Sequence, residues 1–253
     1  MAKIIAIHSF RGGTGKSNTT ANLACLLTGM GRRVGVVDTD LQSPGIHVLF
    51  GLDAKGSQYA LNDFLWGKCE VTSAACDVTE AAGPSSNGRL FLIPASIRAG
   101  DIARVLHYGY DVNLLKEGYQ RLIRDLSLDF LFVDTHPGLN EETLLSIAIS
   151  DILLILLRPD HQDYQGTSVT VEISRQLEVP RTYLVLNKVP ANLDRETLAA
   201  KVSATYDCKV AGVLNHEEQM MTLASSGIFV MRYPDHPLSS ELRAIVREMV
   251  MQR

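Results

Sequence analysis

The stretch Ser9-Phe10-Arg11-Gly12-Gly13-Thr14-Gly15-Lys16-Ser17 carries the densest chemistry in the chain. Its glycines let the backbone curl until several N–H groups converge on one point, which is how a peptide holds a phosphate without side chains. A helical pattern follows Lys16, and the positive end of a helix adds to the attraction for an anion. Lys16 would supply a point charge to the β- and γ-phosphates of a nucleotide, and the Ser17 hydroxyl would ligate Mg2+. The strict pattern G-x-x-x-x-G-K-[ST] requires glycine at position 10, where this chain has Phe10, so the general motif fails by one residue. Gly-Lys-Ser opening a helix after an apolar strand still favours phosphate binding over a Gly-rich turn that binds nothing.

Three carboxylates fall where such a loop needs them. One apolar run ends in Val36-Val37-Asp38-Thr39-Asp40, and another in Phe132-Val133-Asp134-Thr135-His136-Pro137-Gly138. Ligands of an open parallel sheet sit beyond the carboxyl ends of its strands. Asp38, Asp40 and Asp134 should therefore gather near the phosphates, where a carboxylate can hold Mg2+ through water or orient an attacking water. Any one of them alone reads as a turn cap; the three together beside a phosphate loop read as a site. His136 has no second histidine nearby in sequence and reads as a structural or partner contact rather than a metal ligand or base. Arg158-Pro159-Asp160-His161-Gln162-Asp163 reads as a polar loop at the same edge.

The elements that must position these residues are short apolar runs: 3–8, 33–38, 90–94, 129–134, 151–157, 182–187 and 209–214. Continuous rather than alternating apolarity suits strands covered on both faces. Segments of helical spacing lie between them. After Lys16, the residues Ala21, Ala24, Cys25 and Met30 fit one face; in 111–126, Leu114, Leu115, Tyr119, Leu122 and Ile123 do. Strand–helix alternation over the whole length predicts one α/β domain, residues 1–253, with a doubly wound, mostly parallel sheet of about seven to eight strands and helices on both faces. Region 55–89 carries the weakest pattern, with a surface loop expected at Gly83-Pro84-Ser85-Ser86-Asn87-Gly88.

Composition narrows the classes of function. The 253 residues are 46% hydrophobic and 21% charged, ordinary for a globular chain. A net charge of −4 argues against bulk electrostatic binding of nucleic acid, although a local basic patch stays open. No apolar run approaches the ~20 residues that span a bilayer, and the first residues read as a strand rather than a signal peptide, so a cytoplasmic protein is expected. The four cysteines form no Cys-x-x-Cys pair and are read as plain thiols.

Taken together these motifs resemble the ParA/MinD family of deviant Walker A ATPases, within the SIMIBI class of P-loop NTPases. The family's loop reads K-G-G-x-G-K-[ST], matched here by Arg11 to Ser17. Asp38-Thr39-Asp40 resembles its D-x-D, and 134–138 its D-[ST]-x-P-G switch. Leu186-Asn187-Lys188 resembles the L-N-[KR] that receives adenine, and Val213–Gly227 its late base loop. Leu61-Asn62-Asp63-Phe64-Leu65-Trp66-Gly67 resembles L-x-D-x-L-x-G. The resemblance implies ATP, ADP and Mg2+ as ligands and a homodimer closed face to face over two ATP molecules. It implies that Arg11, Gly12, Gly13, Thr14, Gly15, Lys16, Ser17 and Asn18 hold phosphate, and that Gly138 senses the γ-phosphate. Asn187, Lys188 and Asn215 would take the base. Asp40 would position the water, with Lys16 and Arg11 in catalysis, and Ser17, Asp38 and Asp134 would serve the metal.

The expected function is a slow, partner-stimulated ATPase that positions or segregates a cargo. Its partner would be a protein that stimulates hydrolysis or adapts the cargo. Nonspecific DNA stays open as the dimer's surface, and stable membrane insertion is not expected. The C-terminal helical stretch 239–253 is mixed in charge and lacks aromatics, so it reads as packing rather than membrane targeting. Arg11 stands where the family has its signature lysine, which reaches across the dimer, and Asn18 replaces a hydroxyl residue. Arginine keeps the charge but has a longer planar fork. An ATP-locked scaffold with little turnover is therefore the alternative, and a dethiobiotin-synthetase-like ligase a weaker one. A nitrogenase-type reductase is disfavoured because no cysteine lies between Cys76 and Cys208.

Overall fold

The computed structural model describes residues 2–52, 58–83 and 87–251. An eight-stranded sheet forms its centre: β1 (Lys3–His8), β2 (Arg33–Asp38), β3 (Cys76–Asp77), β4 (Arg89–Ile93), β5 (Phe130–Asp134), β6 (Ile152–Leu157), β7 (Thr182–Val189) and β8 (Lys209–Asn215). Their order is β3-β4-β2-β5-β1-β6-β7-β8, all parallel except the antiparallel edge pair β3–β4. The seven apolar runs are the seven parallel strands. Strand β3 has only two residues and no periodicity of its own; only its pairing with β4 defines it.

The helices are α1 (Lys16–Gly29), α2 (Ile46–Leu49), α3 (Leu61–Leu65), α4 (Ala99–Tyr108), α5 (Asn113–Asp125), α6 (Glu141–Ala148), α7 (His161–Gln176), α8 (Arg195–Tyr206), α9 (Glu218–Leu223), α10 (Phe229–Arg232) and α11 (Pro237–Met251). Successive strand side chains point to opposite faces, so a strand between two helix layers must be apolar throughout. Ile5 and Ile7 of β1 pack with residues of α1 and α11 on one face. Ala6 packs on the other, with residues of β6, α7 and α8, and Val37, Leu131 and Val133 meet α3 and α5 on that same side.

Several expectations are refined. Met30 does not share the buried face of α1: the helix ends at Gly29, the chain turns at Gly31 with φ 80°, and Met30 is left 56% exposed. In α5, Leu115, Tyr119 and Leu122 are buried while Leu114 and Ile123 pack at its margin. The C-terminal helix places Leu242, Ile245, Val246 and Met249 in the core. Its apolar face is spent on β8 and α1, and its last residues, 252–253, lie outside the described residues. Of the expected loop at 83–88, residues 84–86 also lie outside them. The four cysteines are free.

Two consequences are measurable. Gly35 in β2 is a packing requirement: a Cβ there would stand 2.7 Å from Leu128 Cδ1 and 2.8 Å from Leu131 Cδ1. Gly35→Val should lower stability by about 1–3 kcal/mol in chemical denaturation, since overpacking outweighs the strand propensity gained. His8, at the end of β1, is fully buried, with Nδ1 2.9 Å from Thr135 Oγ1. Burial first, then the Lys16 ammonium, push its pKa from 6.5 down to about 3. The unfolded chain therefore binds a proton below pH 6.5 that the folded chain refuses. His8 is stability-neutral above that pH and costs stability as pH falls from 6.5 towards 3, at about 1.4 kcal/mol per pH unit. Denaturation from pH 7 to 4.5 should show a shallower fall for His8→Gln than for the wild type; parallel curves would refute the assignment.

Candidate functional site

Strand register builds the site. Asp38 of β2 pairs with Asp134 of β5, and Asp134 in turn pairs with Ile7 of β1. Three neighbouring strands thus end together, and the phosphate-loop candidate leaves the last of them. Asp38 and Asp134 are 1% and 2% exposed. Burial, followed by the charge of Asp134 beside it, holds Asp38 well above the usual carboxylate range. Asp134 is pushed up to about 6, again by burial, opposed by the Ser17 hydroxyl, the Lys16 ammonium and the Thr20 hydroxyl. Thr20 Oγ1 donates to Asp134 Oδ1 at 3.2 Å. Asp38 Oδ1 accepts the Asp40 N–H at 3.0 Å, while its Oδ2 is buried without a partner.

The loop is open where a phosphate would sit. Gly13 and Gly15 have φ 74° and 97°, a left-handed conformation that glycine adopts without strain. A Cβ on Gly13 would meet nothing within 4 Å, so the space over it is free. Helix α1 begins with no side-chain cap and no acidic residue in its first turn, leaving its N–H groups available to an anion. Lys16 is 8% exposed; burial lowers its pKa, against the raising pull of Asp134 and Asp40, and Nζ donates to Ser9 Oγ at 3.1 Å.

Two side chains from the end of β7 hold the loop from outside. Asn187 Nδ2 donates to Thr14 O at 2.7 Å, and Lys188 Nζ to Gly13 O at 2.8 Å. A trans peptide whose carbonyl is held on one side presents its N–H on the other. These contacts therefore aim the loop's donors, a use that the L-N-[KR] pattern alone does not reveal. A Cβ on Gly15 would stand 2.5 Å from Asn187 Nδ2, so glycine is required at that approach.

A cleft of about 450 Å³ continues from the loop, lined by Asn18, Asn187, Lys188, Asn215, Met220 and Ser225 among others. Its floor is the buried Leu214, Leu238 and Leu242, and Asn215 Oδ1 is buried there without a partner. An apolar slot with one unsatisfied acceptor suits a purine that carries an amino group. The sequence reading missed Asn22, which also lines the cleft and whose Oδ1 accepts the Val230 N–H at 2.8 Å, tying α10 to α1. It also missed Ser9, the partner of Lys16. Asn22 lies in no motif that spacing would isolate, and Ser9, though it opens the glycine-rich stretch, carries no signal of its pairing with Lys16.

Arg11 and the polar stretch after β6 meet. Arg11 Nη1 lies 3.7 Å from both Asp160 Oδ1 and Asp163 Oδ1. The stretch 158–163 is not wholly a loop: the Asp160 side chain caps α7 by accepting the Asp163 N–H at 2.9 Å, so 161–163 form its first turn. Asp163 is buried and paired with Arg158, whose Nε donates to its Oδ2 at 3.0 Å. Phe10, the residue that breaks the strict motif, lies over Gly166 of α7, where a Cβ would overlap its ring at 2.2 Å. Gly138 has φ 85°, and its N–H donates to Ser9 O at 3.3 Å. Asp40 is only partly buried; its Oδ1 accepts the Ser43 N–H at 3.0 Å and lies 2.7 Å from His136 Nδ1.

These residues fit a magnesium-bound nucleotide. The orphaned Asp38 Oδ2 and two carboxylates raised by burial want a cation, and Ser17 lies beside Asp134. No group of three or more His, Cys, Asp or Glu able to hold a metal occurs among the described residues, so phosphate oxygens and water would have to complete the shell.

Comparison with known proteins agrees with this geometry. A family model described as an AAA domain matches residues 2–181. An uncharacterized ATP-binding protein of Methanocaldococcus jannaschii is 27% identical over 251 residues, 99% of this chain and 88% of that protein. The antiactivator FleN of Pseudomonas aeruginosa is 26% identical over 227 residues, 86% of this chain and 75% of FleN. Among solved structures, the septum site-determining protein MinD of Pyrococcus horikoshii, complexed with Mg-ADP, superposes with a TM-score of 0.80 at 20% identity, covering 99% of this chain and 96% of that one. The matched domain, the relatives and the eight-stranded sheet carrying a phosphate loop between β1 and α1 converge: the chain belongs to the ParA/MinD family of P-loop NTPases.

Proposed function

We propose that this chain is an ATPase whose ATP-bound form closes as a sandwich homodimer, and that binding and hydrolysis switch it between states that position or segregate a cellular cargo. The observation that carries this reading is the meeting of Asp38, Asp40 and Asp134, at the ends of adjacent parallel strands, with Lys16 at the start of α1, under an open glycine loop. ATP would lie with its phosphates on residues 12–17 and its base in the cleft beside Asn215. Mg2+, held by Ser17 and, through water, by Asp38 and Asp134, would neutralise phosphate charge. Lys16 neutralises charge on the same oxygens, and its lowered pKa reflects the burial that strengthens this attraction. Asp40, less buried and with Oδ1 already occupied, is free to orient a water through Oδ2.

Arg11 decides between the switch and a static scaffold. Its ion pairs with Asp160 and Asp163 are long, and Arg11 and Asp160 are each 42% exposed. An exposed pair such as Arg11–Asp160 is worth about 0–1 kcal/mol, and the buried Asp163 is already paired with Arg158, so a partner's phosphate would draw Arg11 away. A protein partner that stimulates hydrolysis is part of the proposal. No helix among the described residues is long and apolar enough to cross a membrane.

Two experiments test the reading. Light scattering of Asp40→Ala in ATP–Mg2+ and in ADP–Mg2+ should give twice the protomer mass with ATP only; equal masses in both nucleotides would count against the switch. Arg11→Ala should keep nucleotide affinity within about threefold while losing that ATP-dependent dimer, because the residue contacts its own chain weakly. An Arg11→Ala dimer as stable as the parent would remove Arg11 from the interface. A wild-type dimer that forms with ATP but shows no turnover, with or without partners, would favour the ATP-locked scaffold.

A further inference from the structure

His136 stands between Asp134 and Gly138 in the segment that joins β5 to α6. Its ring Nδ1 lies 2.7 Å from Asp40 Oδ1, and the two side chains are only 22% and 19% exposed. Because that oxygen also accepts the Ser43 N–H, the carboxylate is held at Oδ1 from two directions, one local and one from the neighbouring strand. No protein donor to Asp40 Oδ2 is found among the described residues. A carboxylate held this way cannot rotate about Cβ–Cγ, and its second oxygen keeps one aim. The segment bearing His136 is itself tied on both sides: Gly138 N–H to Ser9 O at 3.3 Å, and Thr143 Oγ1 to His136 O at 3.4 Å. The Gly138 contact is long, as expected of a bond that can be exchanged for another acceptor.

We propose that His136 is a positioning residue: its Nδ1–H orients Asp40 and makes the water-orienting carboxylate move with the 134–138 segment. This rests on the ATPase reading above and deepens it. A γ-phosphate that draws the Gly138 N–H away from Ser9 O shifts a segment that carries His136 two residues upstream, and the His136–Asp40 bond passes that shift to Asp40. Without the imidazole, Asp40 keeps only the Ser43 N–H and regains rotational freedom. A histidine with a purely space-filling role would be replaced equally well by any side chain of its size. A positioning histidine requires an N–H at the Nδ1 place, which asparagine supplies and leucine does not.

The test is steady-state ATP turnover, with ATPγS affinity measured separately, for His136→Leu, His136→Asn and both changes in an Asp40→Ala background. His136→Leu should lower kcat by about tenfold to a hundredfold, with ATPγS affinity unchanged, since a misaimed catalytic group costs rate rather than binding. His136→Asn should recover most of that loss, and neither change should matter once Asp40 is alanine. A kcat for His136→Leu within about twofold of wild type, or equal losses in the Leu and Asn variants, would overturn the proposal. If the wild type binds ATP without turnover, the ATPase reading fails on its own, and the ring nitrogens decide. In 15N-histidine spectra the His136 Nδ1–H signal should be lost in Asp40→Ala and displaced in the wild type by ATPγS–Mg2+. A signal indifferent to both changes would sink the coupling.

Discussion

Asp38 and Asp134 end neighbouring parallel strands in register and lie side by side out of water. Burial strips both of hydration and shifts both upward, with the charge of Asp134 adding at Asp38 and that of Asp40 at Asp134. A structure keeps such a pair only if something else at the site wants it. Lys16 and the hydroxyls of Ser17 and Thr20 answer part of the demand, and the unpartnered Asp38 Oδ2 marks what they leave unanswered. The arrangement is therefore strained towards a cation and a polyphosphate.

The rest of the fold serves that point. The helix layers on the two faces hold the strands in register, so apolar residues continue up to the last residue before each aspartate. Residues from β7 hold the carbonyls of the loop, which turns its amides to the opposite side. The cleft proposed for the base forms where β8, α1, α9 and α11 meet, and α11 completes it by placing Leu238 and Leu242 along its floor. Helix α11 thus lines that cleft, and its apolar face is committed to the interior.

The two unusual residues that precede the glycines share a neighbour. Phe10 and Arg11 both meet α7, the first over Gly166 and the second beside Asp160 and Asp163. Gly166 leaves the surface of α7 low enough to admit a phenyl ring, so the change at position 10 has its complement 156 residues later. His136, the unusual residue of the 134–138 segment, meets Asp40.

Much was legible without coordinates. Parallel strands buried on both faces must be apolar throughout, so their positions show as runs. A loop that binds phosphate with its backbone must be rich in glycine, so Gly12, Gly13 and Gly15 before Lys16 and Ser17 show as a motif. Aspartates at strand ends show because charge stops an apolar run. What tertiary structure alone decided are relations between residues far apart in sequence. That β5 lies between β1 and β2, and so brings Asp134 opposite Asp38, depends on strand order, which no local pattern encodes. The bonds from Asn187 to Thr14 O and from His136 to Asp40 span 173 and 96 residues. The two-residue β3 has no local signal and exists only through pairing. Periodicity reports the environment that a residue needs; which neighbour supplies it is settled by packing.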